Sequence, residues 1–476
     1  MTSLDAVVIG SGPNGLAAAV TLALAGRSVT VYEGSEHLGG GLCSTSLAEE
    51  GYLHDLCASV HPLGVASPFF RSLTDQGHLS EDLWRYAEVE FAQPLDGGDA
   101  AVARADLEET VAAFSPTGAA RYRRLVAPVT ADLDRLLPEI LRPVVGRPAA
   151  VAPLVGLGLR APWPFTWLAR AMGDEKVAAL LSGCAAHSIM ALNRPATSAF
   201  ATLFAATAHG RRWPLVAGGS GRLAADLARI VTDNGGRIEL GHRVSSLAAL
   251  PEHRVALFDT NPAQITEIAG PALPESDRRR FGAFKHGPGV FKIDYTLDEP
   301  VPWTNPDCRQ ALTLHVGGPA GEVVASETAM ASGRHAERPF VLAVQPTVVD
   351  PTRAPEGKHV FWAYCHVPAY SAVDMTDAIE DQIERFAPGF RDVVRTRTTS
   401  DCADLEARNP NLVGGDIGGG SLAGAQLVLR PSPTLRPYET GNPALLLCSA
   451  SSPPGAGVHG MAGHQAARRA LATVLV

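Results

Sequence analysis

The sequence predicts an α/β fold in which one parallel-sheet domain is assembled from distant parts of the chain and a second domain, of mixed β-sheet with helices, interrupts it. Three observations carry this. The chain opens with a short apolar strand, a glycine-rich turn and a small-residue helix, and it closes with the same order of elements. From Gly289 to Cys365, β-type runs dominate (VFKIDYTL, ALTLHV, FVLAV, HVFWAYC). At 476 residues the chain is also about three times the size of a typical domain.

Taken in order, Ala6-Val7-Val8-Ile9 reads as a strand buried on both faces, the kind that parallel sheets use. Gly10-Ser11-Gly12-Pro13-Asn14-Gly15 follows, then a helix over Leu16 to Ala25 stopped by Gly26, then a strand from Ser28 to Tyr32 that ends at Glu33. From Pro68 to Pro214 the pattern reads as irregular, with helical stretches such as Ala178 to Met190 and a proline-rich break from Pro143 to Pro164. Near Gly221 the alternation returns: a helix from Arg222 to Asn234, a strand from Arg237 to Leu240, and another at 255–260. Beyond the β-type runs a helix spans Met375 to Phe386, and the strand Leu445 to Cys448 leads through glycines into a helix from Gly460. The expected division is 1–65, 214–285 and 405–476 for the first domain, and 66–213 and 286–404 for the second.

Composition excludes several classes. Apolar residues make up 46% and charged residues 19%, which is globular, and a net charge of −9 with pI near 5.9 argues against a nucleic-acid binder. The seven cysteines are scattered without a C-x-x-C pair, which argues for a reducing compartment and against a disulfide framework or zinc ribbon. The histidines form neither H-E-x-x-H nor H-x-H, so no metal site is expected, and no G-x-S-x-G elbow occurs. The opening run carries Asp5 and no basic leader, and the uncharged stretch Val177 to Asn193 is too short and polar to span a bilayer. The expectation is a soluble, cytoplasmic protein.

The first motif has a mechanism. Gly10 permits a tight turn, Gly12 lets the backbone approach a pyrophosphate, and Gly15 lets helix and strand pack closely, with free N–H groups at the helix start. Glu33, 18 residues beyond Gly15, stands where a carboxylate accepts ribose hydroxyls, and its charge disfavours a 2′-phosphate. The bland alternative is a glycine turn without a ligand. A second cluster, Gly39-Gly40-Gly41, brings another loop to the same pyrophosphate.

These motifs, with the segment from Gly51 through Ser59, Val60 and His61 to Pro62 and the closing turn from Ser451 through Gly457-Val458-His459 to Met461, resemble the phytoene desaturase and amine oxidase flavoproteins, the phytoene desaturase-related branch most of all. The resemblance implies a Rossmann-type FAD-binding domain. It places Gly10, Gly12, Pro13, Asn14, Gly15, Glu33 and the three glycines at 39–41 on the dinucleotide, Val244 at the adenine, Ser59 and His61 near the flavin ring, and Gly457, Val458 and His459 at its pyrimidine edge. A helix start there would stabilise the anionic reduced flavin. Two features depart from the family: Gly41 and Leu42 stand where many amine oxidases have arginine, and only about ten residues join Val244 to the next strand. No match exists to the cysteine that some amine oxidases link to flavin, so the FAD expected is non-covalent.

Lys292 matches the amine-oxidase strand lysine near flavin N5, where it would assist electron transfer to oxygen; the alternative is a surface lysine on a half-exposed strand. His61 would act as base or orient substrate, or else bond backbone in a turn. Tyr364 and His366 alternate on one strand and would line a substrate cavity or form core and rim. Gly219-Ser220-Gly221, with Glu239 18 residues on, imitates a second dinucleotide turn, but its preceding strand is short and holds Pro214. Cys43 and Cys57 read as packing residues. The expected reaction is hydride removal from a substrate carbon to the flavin, with C–C desaturation first, amine or C–N oxidation and flavin-dependent isomerisation as alternatives, and oxygen or a quinone as acceptor. Outside that class stand a flavin-binding scaffold and an NAD-dependent dehydrogenase. The apolar stretch around Trp163 and Trp167 offers a membrane-surface contact or simple packing.

Overall fold

The computed structural model describes residues 4–144, 148–159 and 162–476. Its strands, in chain order, are β1 (Leu4–Ile9), β2 (Val29–Tyr32), β3 (Val89–Pro94), β4 (Ala100–Arg104), β5 (Arg237–Glu239), β6 (His253–Phe258), β7 (Gly289–Leu297), β8 (Ala311–Val316), β9 (Val341–Val344), β10 (His359–Val367), β11 (Val394–Ser400) and β12 (Leu445–Leu447), with shorter two-stranded ribbons beside them. They form two main sheets. The first, ordered β12-β6-β1-β2-β5, is parallel throughout and joins strands from the start, middle and end of the chain.

Strand periodicity divides its side chains. Ala6 and Val8 face three helices: α1 (Pro13–Leu24), α2 (Ser220–Asp233) and α3 (Met461–Leu471). Val7, Ile9, Ala256 and Phe258 face the other way, against Ile265, Leu273 and Phe281. The helices approach closely because their contact faces are alanine and glycine; a Cβ on Gly463 would stand 1.7 Å from the carbonyl oxygen of Asn14.

The second sheet runs β11-β7-β10-β9-β8-β3-β4, antiparallel except where β3 pairs with β8. On its outer face Phe291, Ile293, Tyr295, Ala343 and Phe361 pack against Ile379 and Ile383 of the helix Thr376–Phe386. Its inner face, carrying Thr313, His315, Leu342, Val344, Trp362 and Tyr364, is covered by the helices Glu175–Ala186 and Thr197–Gly210.

Two expectations are corrected and one further strand is added. The stretch from Pro68 to Pro214 is not only helical and irregular: β3 and β4 form a hairpin there, and their alanines and the buried polar pair Glu90 and Gln93 hid the strand pattern. β11 reads VRTRTTS, a half-exposed edge strand with no apolar run to announce it. β7 is buried along its whole length rather than half exposed, because β10, β11 and both flanking layers cover it.

Among the described residues no helix is long and apolar enough to cross a membrane. Trp163 and Trp167 are 49% and 56% exposed with ring centroids 5.6 Å apart, in company with exposed Val151, Val155 and Leu159. Replacing Gly463 by Ala is expected to cost about 1–3 kcal/mol in chemical denaturation, because helix backbone rather than a flexible side chain must yield. An unchanged midpoint would contradict the close crossing of α1 and α3.

Candidate functional site

Two cavities meet at the first glycine turn. The smaller, about 170 Å³, is lined by Gly10, Gly12, Glu33, Gly40, Arg243 and Val244 among others. The larger, about 520 Å³, begins at Gly12, Pro13, Asn14 and Gly41, passes Ser59–His61 and Gly457–Val458, and ends on the inner face of the second sheet. Gly12, Cys57, Asp259, Asn409, Asn411 and Leu412 line both.

The glycines are spatial requirements. A Cβ on Gly15 would lie 2.1 Å from the Gly10 carbonyl oxygen, and one on Gly40 would lie 3.2 Å from Gly12 Cα, so the two glycine loops touch. Gly39 donates its N–H to Ser11 Oγ. Glu33 Oε2 accepts the Ser11 N–H and hydroxyl at 2.8 and 2.7 Å, and Oε1 accepts the Ser35 N–H. A carboxylate with about four acceptor positions keeps capacity for a ribose hydroxyl. Asn14 Oδ1, at the start of α1, is buried without a partner among the described residues. A cradle closed to side chains, an orphaned acceptor and a carboxylate at its rim fit a dinucleotide.

Ser59 and His61 are held from behind. Ser59 Oγ donates to Asp55 Oδ2 at 2.6 Å. The Ser220 hydroxyl gives its hydrogen to the Ala58 carbonyl, so at 2.9 Å it accepts from His61 Nε2–H. That assigns the tautomer and leaves Nδ1 a bare acceptor, which has no partner among the described residues. Burial pulls the His61 pKa down to about 4, with Asp55 opposing and Arg353 adding, so the ring is neutral near pH 7.

Asp55 is the centre of this support. It is 1% exposed, and its carboxylate accepts from the Ser44 hydroxyl, the Ser59 hydroxyl, the Ser220 N–H and Arg353, while its carbonyl oxygen accepts from Lys292. Burial alone would push its pKa up, but Arg353 and the donors outweigh burial and hold it below the usual range. This explains the second glycine turn: Ser220 N–H is taken by Asp55, Gly221 N–H by Ser44 Oγ and Gly218 N–H by Asp350. Internal groups occupy the positions a phosphate would need.

Three expected site residues lie elsewhere. Lys292 does not line the larger cavity: its ammonium is buried, bonded to both Asp294 oxygens at 2.5 and 2.7 Å and to the Asp55 carbonyl, and 5.4 Å from the Trp362 ring centre. Two residues apart on one strand face, cation and anion satisfy each other. His366 is bonded through Nδ1 to the buried carboxylate of Glu327 at 2.9 Å and also does not line that cavity, whereas Tyr364 does. His459 is fully buried and its Nδ1 accepts the Met461 N–H, capping α3, while Gly457 and Val458 form the wall. Burial lowers its pKa to about 4.

Sequence reasoning passed over Asp259, His187, Trp213, Leu342, Val344 and Trp362, all of which line the larger cavity. His187 Nε2 lies 3.2 Å from His315 Nε2, and burial pulls the His187 pKa down to about 3. Tyr364 stacks on Trp362 at 5.8 Å, and its hydroxyl has no hydrogen-bond partner among the described residues. Period-two patterning placed such residues on one face or the other; only the helices opposite decide which face encloses a cavity. Among the described residues no cluster of metal-ligating side chains occurs.

With this geometry in view, the similarities to known proteins take their place. Residues 8–75 match the sequence family described as NAD(P)-binding Rossmann-like domain. The chain is 27% identical to pyridine nucleotide-disulfide oxidoreductase domain-containing protein 2 of Rattus norvegicus over 54% of its own length and 50% of the relative's, so it spans half of that protein. It is 25% identical to the lycopene-forming phytoene desaturase of Pseudescherichia vulneris, covering 99% of this chain and 98% of that one. A putrescine oxidase structure, 17% identical, superposes over 100% of this chain and 99% of that chain with a TM-score of 0.61, a likeness of fold. Motif, cradle and fold define a Rossmann-type dinucleotide-binding protein. In sequence it resembles the phytoene desaturase-related oxidoreductases, and in fold it resembles the amine oxidases.

Asp55→Asn is expected to cost about 1–3 kcal/mol in equilibrium unfolding, because the amide accepts on one oxygen only, weakening the bonds from Ser44, Ser59 and Ser220, and leaves Arg353 with Asp350 as its remaining counter-charge. A loss below 1 kcal/mol would remove Asp55 from the centre of the support. The depressed histidines predict acid sensitivity: unfolded chains take up protons near pH 6.5 that folded His61, His187 and His459 refuse, so stability falls as pH drops from about 6.5 towards 4. Thermal midpoints across that range check it, and a flat profile would contradict it.

Proposed function

We propose that this chain is an oxidoreductase that holds FAD non-covalently and removes a hydride from carbon in a neutral, largely apolar small molecule, desaturating a C–C bond. The observation that carries the reading is the make-up of the larger cavity. Among the described residues its lining includes Ile189, Phe200, Leu203, Phe204, Leu342 and Val344, contains no lysine or arginine, and has Asp259, at the glycine-turn end, as its one carboxylate. A volume of about 520 Å³ falls in the range that encloses small-molecule ligands. An apolar skeleton with no charge to neutralise suits such walls.

Bound FAD supplies the hydride acceptor, and the protein supplies binding, orientation and exclusion of water. The α1 start and the glycine loops receive the pyrophosphate, Glu33 accepts from the ribose, and Val244 backs the adenine. The Cys57–His61 wall and the Gly457–Val458 turn hold the ring's surroundings rigid through Asp55 and Ser67, whose hydroxyl donates to the His459 carbonyl. With a pKa near 4, His61 orients groups through its Nδ1 lone pair rather than taking protons at neutral pH. Tyr364 presents a free hydroxyl to a polar substituent. Oxygen or a quinone is the proposed acceptor, and the exposed Trp163–Trp167 pair the proposed membrane-surface contact.

Amine oxidation is the second reading, since a putrescine oxidase shares the fold. A cationic amine would need a carboxylate towards the sheet end of the cavity, and among the described residues the lining there has none.

The first test is the visible spectrum of the purified protein before and after heating. A flavin spectrum passing into the supernatant is expected; a colourless protein that takes up no added FAD overturns the reading. Anaerobic mixing with matched neutral and cationic substrates then checks the chemistry, with bleaching by neutral compounds expected and bleaching by amines alone overturning it. Tyr364→Phe is expected to slow bleaching about 2- to 10-fold with an unchanged flavin spectrum, the value of one hydrogen bond. Co-flotation with liposomes, lost on replacing Trp163 and Trp167 by Ser, tests the surface contact.

A further inference from the structure

The two glycine turns hold different carboxylates at their helix starts. Asp55 at the second turn has a guanidinium and hydroxyl donors around it. Asp259, arriving at the first turn from the end of β6, has neither among the described residues. Its Oδ2 accepts the Gly15 N–H at 2.8 Å, and a Cβ on Gly12 would stand 2.5 Å from that oxygen. Its Oδ1 has no partner among the described residues, and the side chain lines both cavities at their junction. Facing it are the Gly15 N–H from α1, the Glu33 carboxylate from the end of β2 and the Cys448 thiol beyond β12. Arg243, Arg408 and the exposed His37 line the smaller cavity, and none of them forms an ion pair with Asp259. A carboxylate therefore stands in the cradle that a pyrophosphate needs.

We propose that Asp259 binds the dinucleotide as the neutral acid, accepting the Gly15 N–H on one oxygen and donating the proton of the other to a phosphate oxygen, so that cofactor binding takes up one proton from solvent. The inference rests on the FAD reading above. Two anions sharing a buried junction repel strongly, and one carboxyl proton removes that repulsion while adding a donor. Burial already raises the free Asp259 pKa to about 7, with the Gly15 bond opposing and Glu33 adding to the rise, and a neighbouring phosphate raises it further. The sign follows: below about pH 7 Asp259 is neutral in both states and affinity is level. Above it, the free side chain is ionised and the bound one neutral, so the dissociation constant rises about tenfold per pH unit. His61 and His459 titrate near 4, outside that window.

The experiment measures FAD dissociation from the full-length holoprotein by recovery of flavin fluorescence between pH 6 and 9. Wild type is expected to weaken about tenfold per unit above pH 7. Asp259→Asn, whose amide accepts from Gly15 and donates to phosphate at every pH, is expected to stay level within about threefold; His37 is common to both proteins and cancels. Calorimetry at pH 8 in two buffers of different ionisation enthalpy supplies a readout that needs no variant, with uptake of about one proton per FAD expected. FAD binding without pH dependence or proton uptake overturns the inference: the carboxylate then swings aside and stays ionised. An Asp259→Asn protein with the wild-type slope overturns it as well. A chain that binds no FAD at any pH overturns the flavin reading and this inference with it.

Discussion

One buried carboxylate ties the molecule together. Asp55 is reached by Ser44 and Ser59 from its own segment, by the start of α2, and by Arg353 from 298 residues away, while its backbone oxygen takes Lys292 from the second sheet. Arg353 is itself fully buried and bonded to Asp350 and the Val216 carbonyl. Desolvating these charges is expensive, and the arrangement stands only because each is satisfied several times over. Its consequence is mechanical. The wall Cys57–His61 hangs from this cluster, and so does the second glycine turn, so the larger cavity inherits its shape from a group that does not line it.

The two glycine turns illustrate how similar local chemistry is put to different use. Both end in a helix whose first N–H groups attract negative charge. At α2 those groups are consumed by Asp55, Ser44 and Asp350, which converts a nucleotide-like turn into a joint between the two sheets. At α1 a single oxygen of Asp259 takes the Gly15 N–H, and the rest of the turn opens onto cavities on both sides. Satisfaction of the helix start, rather than the presence of glycines, distinguishes a joint from a cradle.

The substrate end of the larger cavity depends on one face of the second sheet. Thr313, Val344 and Trp362 stand in one cross-strand row, and His315, Leu342 and Tyr364 in the next. Moving along that face, the row ends in Lys292 and Asp294, which neutralise each other beneath the Asp55 segment. At the sheet end of the cavity His187 is held neutral by burial and Tyr364 keeps its proton, while His366 turns away to Glu327. A neutral lining in a low-dielectric space suits substrates without charge.

Sequence by itself determined what depends on neighbours close along the chain. The strand, the glycine spacing, the helix start and Glu33 fall within the first 33 residues, and period-two and helical patterns marked most later elements. Strands whose patterns were interrupted, such as β3 with its buried Glu90 and β11 with its alternating arginines, were not legible, because exposure at a sheet edge and polar burial both erase the apolar signal. Tertiary structure alone decided partnership. Lys292 and His366 read as free functional groups until Asp294 and Glu327 claimed them, and His459 until the start of α3 took its nitrogen. Asp259 was no more than the end of a buried strand until folding set it against Gly15, 244 residues earlier. The physical reason is that hydrogen bonding and desolvation act over a few ångströms of space, whereas a sequence pattern reports only distance along the chain.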